Sequence, residues 1–369
     1  MTATGLEQRR VRLAQRLARR NLDAWLLVPG AGLRWATGLD TDASERFSAL
    51  ALTAADRPVG VVPSFEADRW AEALPSARLF TYRDETGAGA AAARAFGGFG
   101  GRAVALGAEF AAMRLTERAV VESVVPRARW HPIDADLSAL RQVKDASEQA
   151  CLREAAAIAS AAMRAGVEAA VVGASERAVA AACAAVLVAH GTWSPFGVHV
   201  ASGARGAAAH AVTTQRVLAP GDLCWMDLGA EVQGYCADIT RTVAVGPPGD
   251  AAAAALAAVR AAQAAALAAI APGVRAADVD RAARGAIAAA GLGAYFTHRT
   301  GHGLGLSVHE APYIVDGNEE PLQPGMVFTV EPGVYIPGLG GVRMEDDVLV
   351  TAGGAQVLTA DADADAARR

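Results

Sequence analysis

Aromatic residues are scarce in this 369-residue chain: 5% of it is Phe, Trp or Tyr, although 53% is hydrophobic. Alanine makes up most of the difference and buries little apolar area per residue, so the mean hydropathy of +0.22 overstates how greasy the chain is. Lysine is nearly absent. Lys144 is the only one, and arginine supplies every other basic side chain. A basic excess is missing too: 34 basic residues face 39 acidic ones, a net charge of −5, which argues against nucleic acid as a partner. The four cysteines (Cys151, Cys183, Cys224 and Cys236) contain no Cys-x-x-Cys pair. That excludes a thiolate zinc ribbon and fits a reducing cytoplasm. The first twenty residues hold Glu7 and many arginines but no apolar core of a signal peptide. The most membrane-like stretch, 251–270, is mainly alanine with Arg260 and Gln263 inside it. It reads as a buried or amphipathic soluble helix, with no membrane partner. Two hydrolase signatures are missing as well. No Gly-x-Ser-x-Gly elbow is present, and His309-Glu310 is followed by Tyr313 where a His-Glu-x-x-His zincin needs histidine.

Periodicity divides what is there. Residues 6–20 set Leu6, Arg10, Leu13 and Leu17 at helical spacing, which predicts an amphipathic helix with a solvated arginine face. Strand-like runs follow at 24–28, 49–53, 59–62, 79–82 and 103–106, and helical segments at 65–74 and 88–96. The alternation predicts an α/β domain. A turn is expected at Asp56-Arg57-Pro58. The glycines of 97–101 lead into a strand rather than from a strand into a helix, which is the wrong context for a phosphate loop. A long helix opens near Ser147. These signals place the domains at 1–135 and 136–369, with residues 360–369 as a frayed tail.

The second domain contains an internal repeat. Leu218-Ala-Pro220-Gly221 precedes Leu223-Cys-Trp-Met-Asp227-Leu-Gly229, and Leu322-Gln-Pro324-Gly325 precedes Val327-Phe-Thr-Val-Glu331-Pro-Gly333. In both, an acid on an apolar strand lies seven residues after the proline, and a glycine two residues further on. A turn and a second strand follow each, carrying Asp238 and Glu345. Buried acids are costly unless paired or metal-bound. Four of them converging between two pseudo-symmetric halves call for cations. His302 stands between Gly301 and Gly303, where the backbone can approach a site closely. Four carboxylates and an imidazole suit two metal ions better than one tetrahedral zinc. Cys224 and Cys236 lie out of register on one hairpin if Asp227 faces Asp238, so no disulfide is expected there.

These residues are recognisable. The stretches MDLGAEVQGYCADITRT, HRTGHGLGLSVHEAP, FTVEPGVYI and GVRMEDDVLV, with the helical opening LRQVKDASEQACLREA, resemble the pita-bread metallopeptidases that include prolidase, Xaa-Pro aminopeptidase and methionine aminopeptidase. The resemblance covers about residues 139–358, and the preceding domain is similar to that of the prolidase and Xaa-Pro aminopeptidase branch. It implies an α+β fold: a curved antiparallel sheet with a pseudo-two-fold repeat behind a smaller α/β domain. It implies Asp227, Asp238, His302, Glu331 and Glu345 as metal ligands, with Asp238 and Glu345 bridging. Mn²⁺ or Co²⁺ is the favoured metal, with Zn²⁺ or Fe²⁺ as alternatives. Catalytic roles fall to His210, His309 and Glu331, and substrate contacts to His298, Arg343 and Tyr335. The implied reaction is attack of a metal-bridging hydroxide on the bond preceding proline in a small peptide. The first domain is expected to narrow the active-site mouth and help build a cytoplasmic homodimer. Arg205 stands where members often carry Asn, and an arginine there would suit a carboxylate-bearing substrate. The alternatives are a creatinase-like C–N hydrolase or lyase and a non-catalytic binding protein; the complete ligand set counts against both.

Overall fold

The short apolar runs of the first third of the chain assemble into a six-stranded mixed sheet. The computed structural model describes residues 3–53, 57–99 and 103–363, and the chain divides into compact units Met1–Arg141 and Gln142–Arg369. Asp56, residues 100–102 and the tail from 364 onward lie outside the described residues. In the first unit, β1 (Ala24–Leu27), β2 (Ala49–Leu52), β3 (Val59–Pro63), β4 (Arg78–Tyr82), β5 (Val104–Ala108) and β6 (Ala128–Pro132) lie in the order β4-β3-β2-β1-β5-β6. The pairs β1–β2 and β2–β3 are antiparallel and the others parallel. Gly97–Phe99 form a short 3-10 turn, not a phosphate loop.

Helices α1 (Ala3–Arg20), α2 (Ala31–Thr37), α3 (Ala67–Ala73), α4 (Gly89–Phe96), α5 (Leu115–Val124) and α6 (Asp134–Arg141) complete this unit. The arginine face of α1 differs from the expected solvated face. Arg9 is fully buried, and the guanidinium groups of Arg9 and Arg12 lie over the Trp35 ring at 5.7 and 5.4 Å. Arg16 and Arg20 pair with Asp136 of α6. These ion pairs tie α6 to α1 within the first unit.

The second unit opens with α7 (Ala146–Ala169), which Asp145 caps by accepting from the Ser147 and Glu148 N–H groups. Then come α8 (Glu176–Ala189), β7 (His199–Ser202), β8 (Leu223–Val232) and β9 (Tyr235–Ala244). The same sequence of parts recurs: α9 (Asp250–Ala269), α10 (Ala276–Ala289), β10 (Gly301–Gly303), β11 (Glu310–Ile314), β12 (Val327–Val330), β13 (Gly333–Ile336), β14 (Gly340–Arg343), β15 (Asp346–Thr351) and β16 (Gly354–Val357). The strands form sheets β7-β8-β9, β11-β10-β12-β15-β16 and β13-β14.

The repeat extends to individual hydrogen bonds. Gly173 donates to the Leu218 carbonyl and Gly273 to that of Leu322; Leu218 donates to Ala174 and Leu322 to Val274; Glu176 donates to Arg216 and Ala276 to Glu320. Each half has its own core, under α7 and α8 in one and under α9 and α10 in the other. Helix α9 has the length and apolarity to cross a membrane. Here Ala255, Val259, Ala262 and Ala266 are buried in the second core, and Gln263 Nε2 donates to Asp346 at 2.7 Å. Residues 360–363, expected to fray, form a 3-10 turn that buries Ala362 beside α7.

Candidate metal centre and peptide cavity

Register explains how two strands can offer acids to one point. Asp227 on β8 lies opposite Thr240 on β9, and Asp238 lies opposite Gly229. The two acids are therefore diagonal neighbours on one face rather than a facing pair. Gly229 is required at its position. A Cβ there would stand 2.3 Å from the Ala237 carbonyl oxygen and 3.0 Å from the Phe196 ring. Cys224 lies opposite Val243 and Cys236 opposite Glu231, and neither forms a disulfide. Burial pushes the Cys224 thiol up to about 12, so it stays protonated.

In the second half the acids sit at breaks. The expected continuous strands split at Glu331-Pro332 and at Met344-Glu345, leaving β12 paired with β15 and β13 with β14. Proline has no N–H to continue a ladder. The Glu331 N–H instead donates to the Thr300 carbonyl (2.8 Å), and the Glu345 N–H crosses to the Thr240 carbonyl (3.0 Å). Strand β10 brings His302 to the same place.

The structure brings the five residues together. Asp227, Asp238 and Glu345 form one group of donors within 4.8 Å of one another; His302, Glu331 and Glu345 form a second; Asp238, His302 and His309 form a third. Asp238, His302 and Glu345 each belong to two groups. Three observations show that this set fits metal ions. Asp227 Oδ1 is buried without a hydrogen-bond partner. His302 Nδ1 lies 3.2 Å from the Gly303 carbonyl, which can only accept, so the proton sits on Nδ1 and Nε2 presents a lone pair. That lone pair faces Glu331 Oε1 at 3.3 Å and Asp238 Oδ2 at 3.9 Å. Acceptors facing acceptors need a cation between them.

The metal-free electrostatics agree. Burial, reinforced by the neighbouring acids, pushes the Asp238 and Glu345 carboxyls well above the ordinary carboxylate range. Burial also lifts Glu331 to about 7, against the opposing charge of Arg343. Burial holds His302 down at about 3, with the charge of His309 adding to it. The site resists holding Asp238, Glu331 and Glu345 as anions by themselves and keeps its imidazole neutral, the form that ligates metal.

Arg343 organises the wall beside this cluster. Its Nη2 donates to Asp227 Oδ2 (2.6 Å), its Nε to Thr240 Oγ1 (3.0 Å) and its Nη1 to the Tyr335 hydroxyl (2.6 Å). Thr240 Oγ1 passes the order on to Glu345 Oε2 at 2.6 Å. His298 Nδ1 donates to the Arg299 carbonyl (2.7 Å), which leaves Nε2 to accept from the Tyr335 hydroxyl at 3.1 Å. Burial lowers His298 to about 4, so it too is neutral. Arg343, Tyr335 and His298 line a cavity of about 740 Å³ together with the five clustered residues, His210 and His309. The His309 ring stands edge-on to His302, centroids 4.1 Å apart, and is held below its usual range chiefly by burial.

Arg205, by contrast, does not offer a free guanidinium to the cavity. Its Nη1 donates to both oxygens of buried Glu176 and its Nη2 to the Val212 carbonyl, so it fastens the loop that carries His210. Other wall residues escaped sequence reasoning. His199 lines the cavity and stacks parallel to Phe196. Trp225 lies under Arg343 at 5.0 Å and donates through Nε1 to the Gly206 carbonyl. Asp347, buried beside the cluster, accepts the Asp238 N–H; its only sequence signal was the acidic run Glu345-Asp346-Asp347.

A two-halved, pita-bread catalytic unit with carboxylates and an imidazole around one cavity defines a hydrolytic metalloenzyme. The chain belongs to metallopeptidase family M24, whose model matches residues 150–352, and residues 9–143 match the creatinase/prolidase N-terminal domain. It is 38% identical over 335 residues to a probable dipeptidase, PepE, of Mycobacterium tuberculosis, covering 89% of this chain and 88% of the relative. It is 42% identical over 228 residues to the Xaa-Pro dipeptidase of Pyrococcus furiosus, covering 62% of this chain and 66% of the relative. The crystal structure of a Thermococcus sibiricus prolidase superposes with a TM-score of 0.90 at 32% identity, covering 96% of both chains.

Proposed function

We propose that this metallopeptidase hydrolyses the bond preceding proline in small peptides, with two divalent ions held by Asp227, Asp238, His302, Glu331 and Glu345. The observation that carries the reading is the convergence of those five side chains on one cavity, three of them shared between donor groups. The relatives named Xaa-Pro dipeptidase and prolidase support the proline specificity. Asp238 and Glu345 would be shared between the two ions, Asp227 would complete the donor set of one, and His302 and Glu331 that of the other. The hard, oxygen-rich donor set favours Mn²⁺ or Co²⁺. Four buried cysteines with no disulfide among them fit a reducing cytoplasm. The homodimer rests on family resemblance alone.

When bound, the ions supply Lewis acidity that makes a water acidic and polarises the scissile carbonyl. The chain's own residues do the rest. Glu331 accepts the proton of the attacking water and passes it towards the leaving nitrogen. His309 donates a hydrogen bond to the oxyanion that develops on the carbonyl. His210, exposed at the cavity edge, steadies the substrate near the leaving amine. Tyr335, locked between His298 and Arg343, and Trp225 beneath Arg343 form a fixed wall against which the proline ring can rest. An X-Pro bond has no N–H to grip, so recognition must come from such a wall and from carbonyl activation. The test is to strip the protein with chelator, restore Mn²⁺, Co²⁺ or Zn²⁺ separately, and assay X-Pro dipeptides beside X-Pro-Y tripeptides. Metal-restored cleavage is expected, and the ratio of the two substrates separates dipeptidase from aminopeptidase. Failure of every metal to restore cleavage of either overturns the reading.

A further inference from the structure

The chain's only lysine is buried beside the site. Every other one of its 34 basic side chains is arginine, yet Lys144 is 1% exposed and its Nζ donates to Glu310 Oε1 at 2.8 Å. Glu310 directly follows His309 and opens β11. Lys144 comes off a fixed backbone: its N–H donates to the Gly325 carbonyl (2.9 Å), and its carbonyl accepts from Gln149 Nε2 (2.9 Å). The other end of the His309 loop is fixed as well. Leu304 donates to the Val327 carbonyl, and the Gly305 carbonyl accepts from Cys236 on β9 at 2.8 Å. The loop that presents the His309 ring is thus pinned by backbone hydrogen bonds on entry and by an ion pair on exit.

Geometry explains why this cation is not arginine. A Cβ on Gly305 would stand 2.7 Å from Glu310 Oε1 and 3.2 Å from Lys144 Cε, so the pair fills the space that the glycine leaves. A planar guanidinium with five donors to satisfy does not fit where a single ammonium does. Buried ion pairs add little net stability compared with apolar packing, and their best use is to specify one geometry. We infer that the Lys144–Glu310 ion pair is a positioning device that holds the His309 imidazole in the cavity at the place where the carbonyl oxygen of the substrate develops charge. The inference rests on the proposed role of His309. It gives turnover a requirement outside the metal ligands and substrate wall.

The test uses the metal-loaded full chain carrying K144M, E310Q, the double variant K144M/E310Q, K144R or H309Q. In K144M we expect kcat to fall about tenfold or more, as a misplaced catalytic group does, with KM within twofold of wild type and both ions retained. Affinity for a phosphinate analogue of an X-Pro dipeptide, which carries the tetrahedral oxyanion, is expected to fall in step with kcat. The double variant removes both charges, so its Tm is expected to recover while turnover stays low. K144R is expected to fail to rescue. Wild-type turnover in K144M, recovery of turnover together with Tm in the double variant, or a loss explained by lost metal overturns the inference. H309Q separates the two claims. A fast H309Q removes the proposed role of His309 itself, whereas a slow H309Q beside a fast K144M sinks the positioning inference alone. If K144M does not fold, E310Q and the double variant carry the same comparison.

Discussion

The two hairpins that meet at the metal centre reach the same end by different backbones. In the first, β8 and β9 run unbroken in register from Leu223 opposite Ala244 to Val232 opposite Tyr235. Alternation on a continuous pleat puts Asp227 and Asp238 on one face, where a short aspartate suffices. In the second, the ladder is interrupted at Pro332 and Met344, and the acids are glutamates whose N–H groups bond elsewhere. The break turns the backbone away, and the longer side chain spans the difference. What the repeat conserves between its halves is the place of the carboxylate, while strand continuity and side-chain length trade against each other.

The strongest way to break that comparison is to remove a shared ligand from either hairpin. D238N and E345Q each delete a carboxylate that belongs to two donor groups. Both are expected to lose about a hundredfold or more in kcat, together with bound metal, measured by steady-state assay and elemental analysis. Near-normal turnover with full metal in either variant would take that residue out of the bridge. Exchanging side-chain length is gentler. D227E overfills a site built for the shorter acid, and E331D leaves a gap at the break. Each is expected to cost about tenfold in metal affinity or turnover. Should E331D bind metal as tightly as wild type, the trade between length and strand break is wrong.

A pH experiment sharpens the contrast between the acids. In the metal-free protein, Glu331 has its pKa lifted from 4.5 to about 7, chiefly by burial. A carboxyl raised by folding stabilises the fold below its unfolded value, and that contribution is lost as pH rises through about 7. Metal-free wild type is therefore expected to lose Tm relative to metal-free E331Q between about pH 5 and pH 8. Metal addition should reverse the trend, because the ions require the anion. The measurement is thermal denaturation across that range; parallel curves for the two proteins would show that Glu331 is not the group that titrates.

Much of this was legible in one sequence because it was written in local spacing. Proline-glycine, then an acid, then a glycine, twice, predicted which strands carry carboxylates, and the flanking glycines singled out His302. Five strands of the first unit fell within two residues of their apolar runs, while β6, in the more polar stretch around Trp130, carried no such signal. What escaped depends on approach between distant segments. Phe196, His199 and Trp225 meet at the cavity from separate segments, and no periodicity reports that. Arg9 looked solvated because a helical wheel does not show Trp35 arriving from α2. Arg205 looked like a substrate contact because its partner, Glu176, lies 29 residues upstream on α8. The second hairpin read as continuous because VRMEDDVLV is as apolar and β-prone as its counterpart; Pro332 was the one warning of the break.

The smallest expected effect tests whether the two halves are also built alike beneath the site. Each second helix carries one buried acid that accepts from a hydroxyl residue at the edge of the neighbouring strand. Glu176 Oε1 on α8 accepts the N–H and hydroxyl of Ser202, and Asp280 Oδ1 on α10 accepts the N–H and hydroxyl of Thr300. Each also has an arginine partner, Arg205 and Arg284. The symmetry is unequal, because Glu176 gathers two further donors, the N–H and hydroxyl of Thr214. An amide in place of either acid turns an NH₂ group towards donors and leaves an arginine without its anion. Each loss costs about 1–3 kcal/mol where burial is complete. E176Q is therefore expected to lower stability more than D280N, with both variants keeping their bound metal. Denaturant unfolding of the metal-loaded proteins measures the difference. If D280N is the more damaging of the two, the count of donors does not set the strength of these anchors.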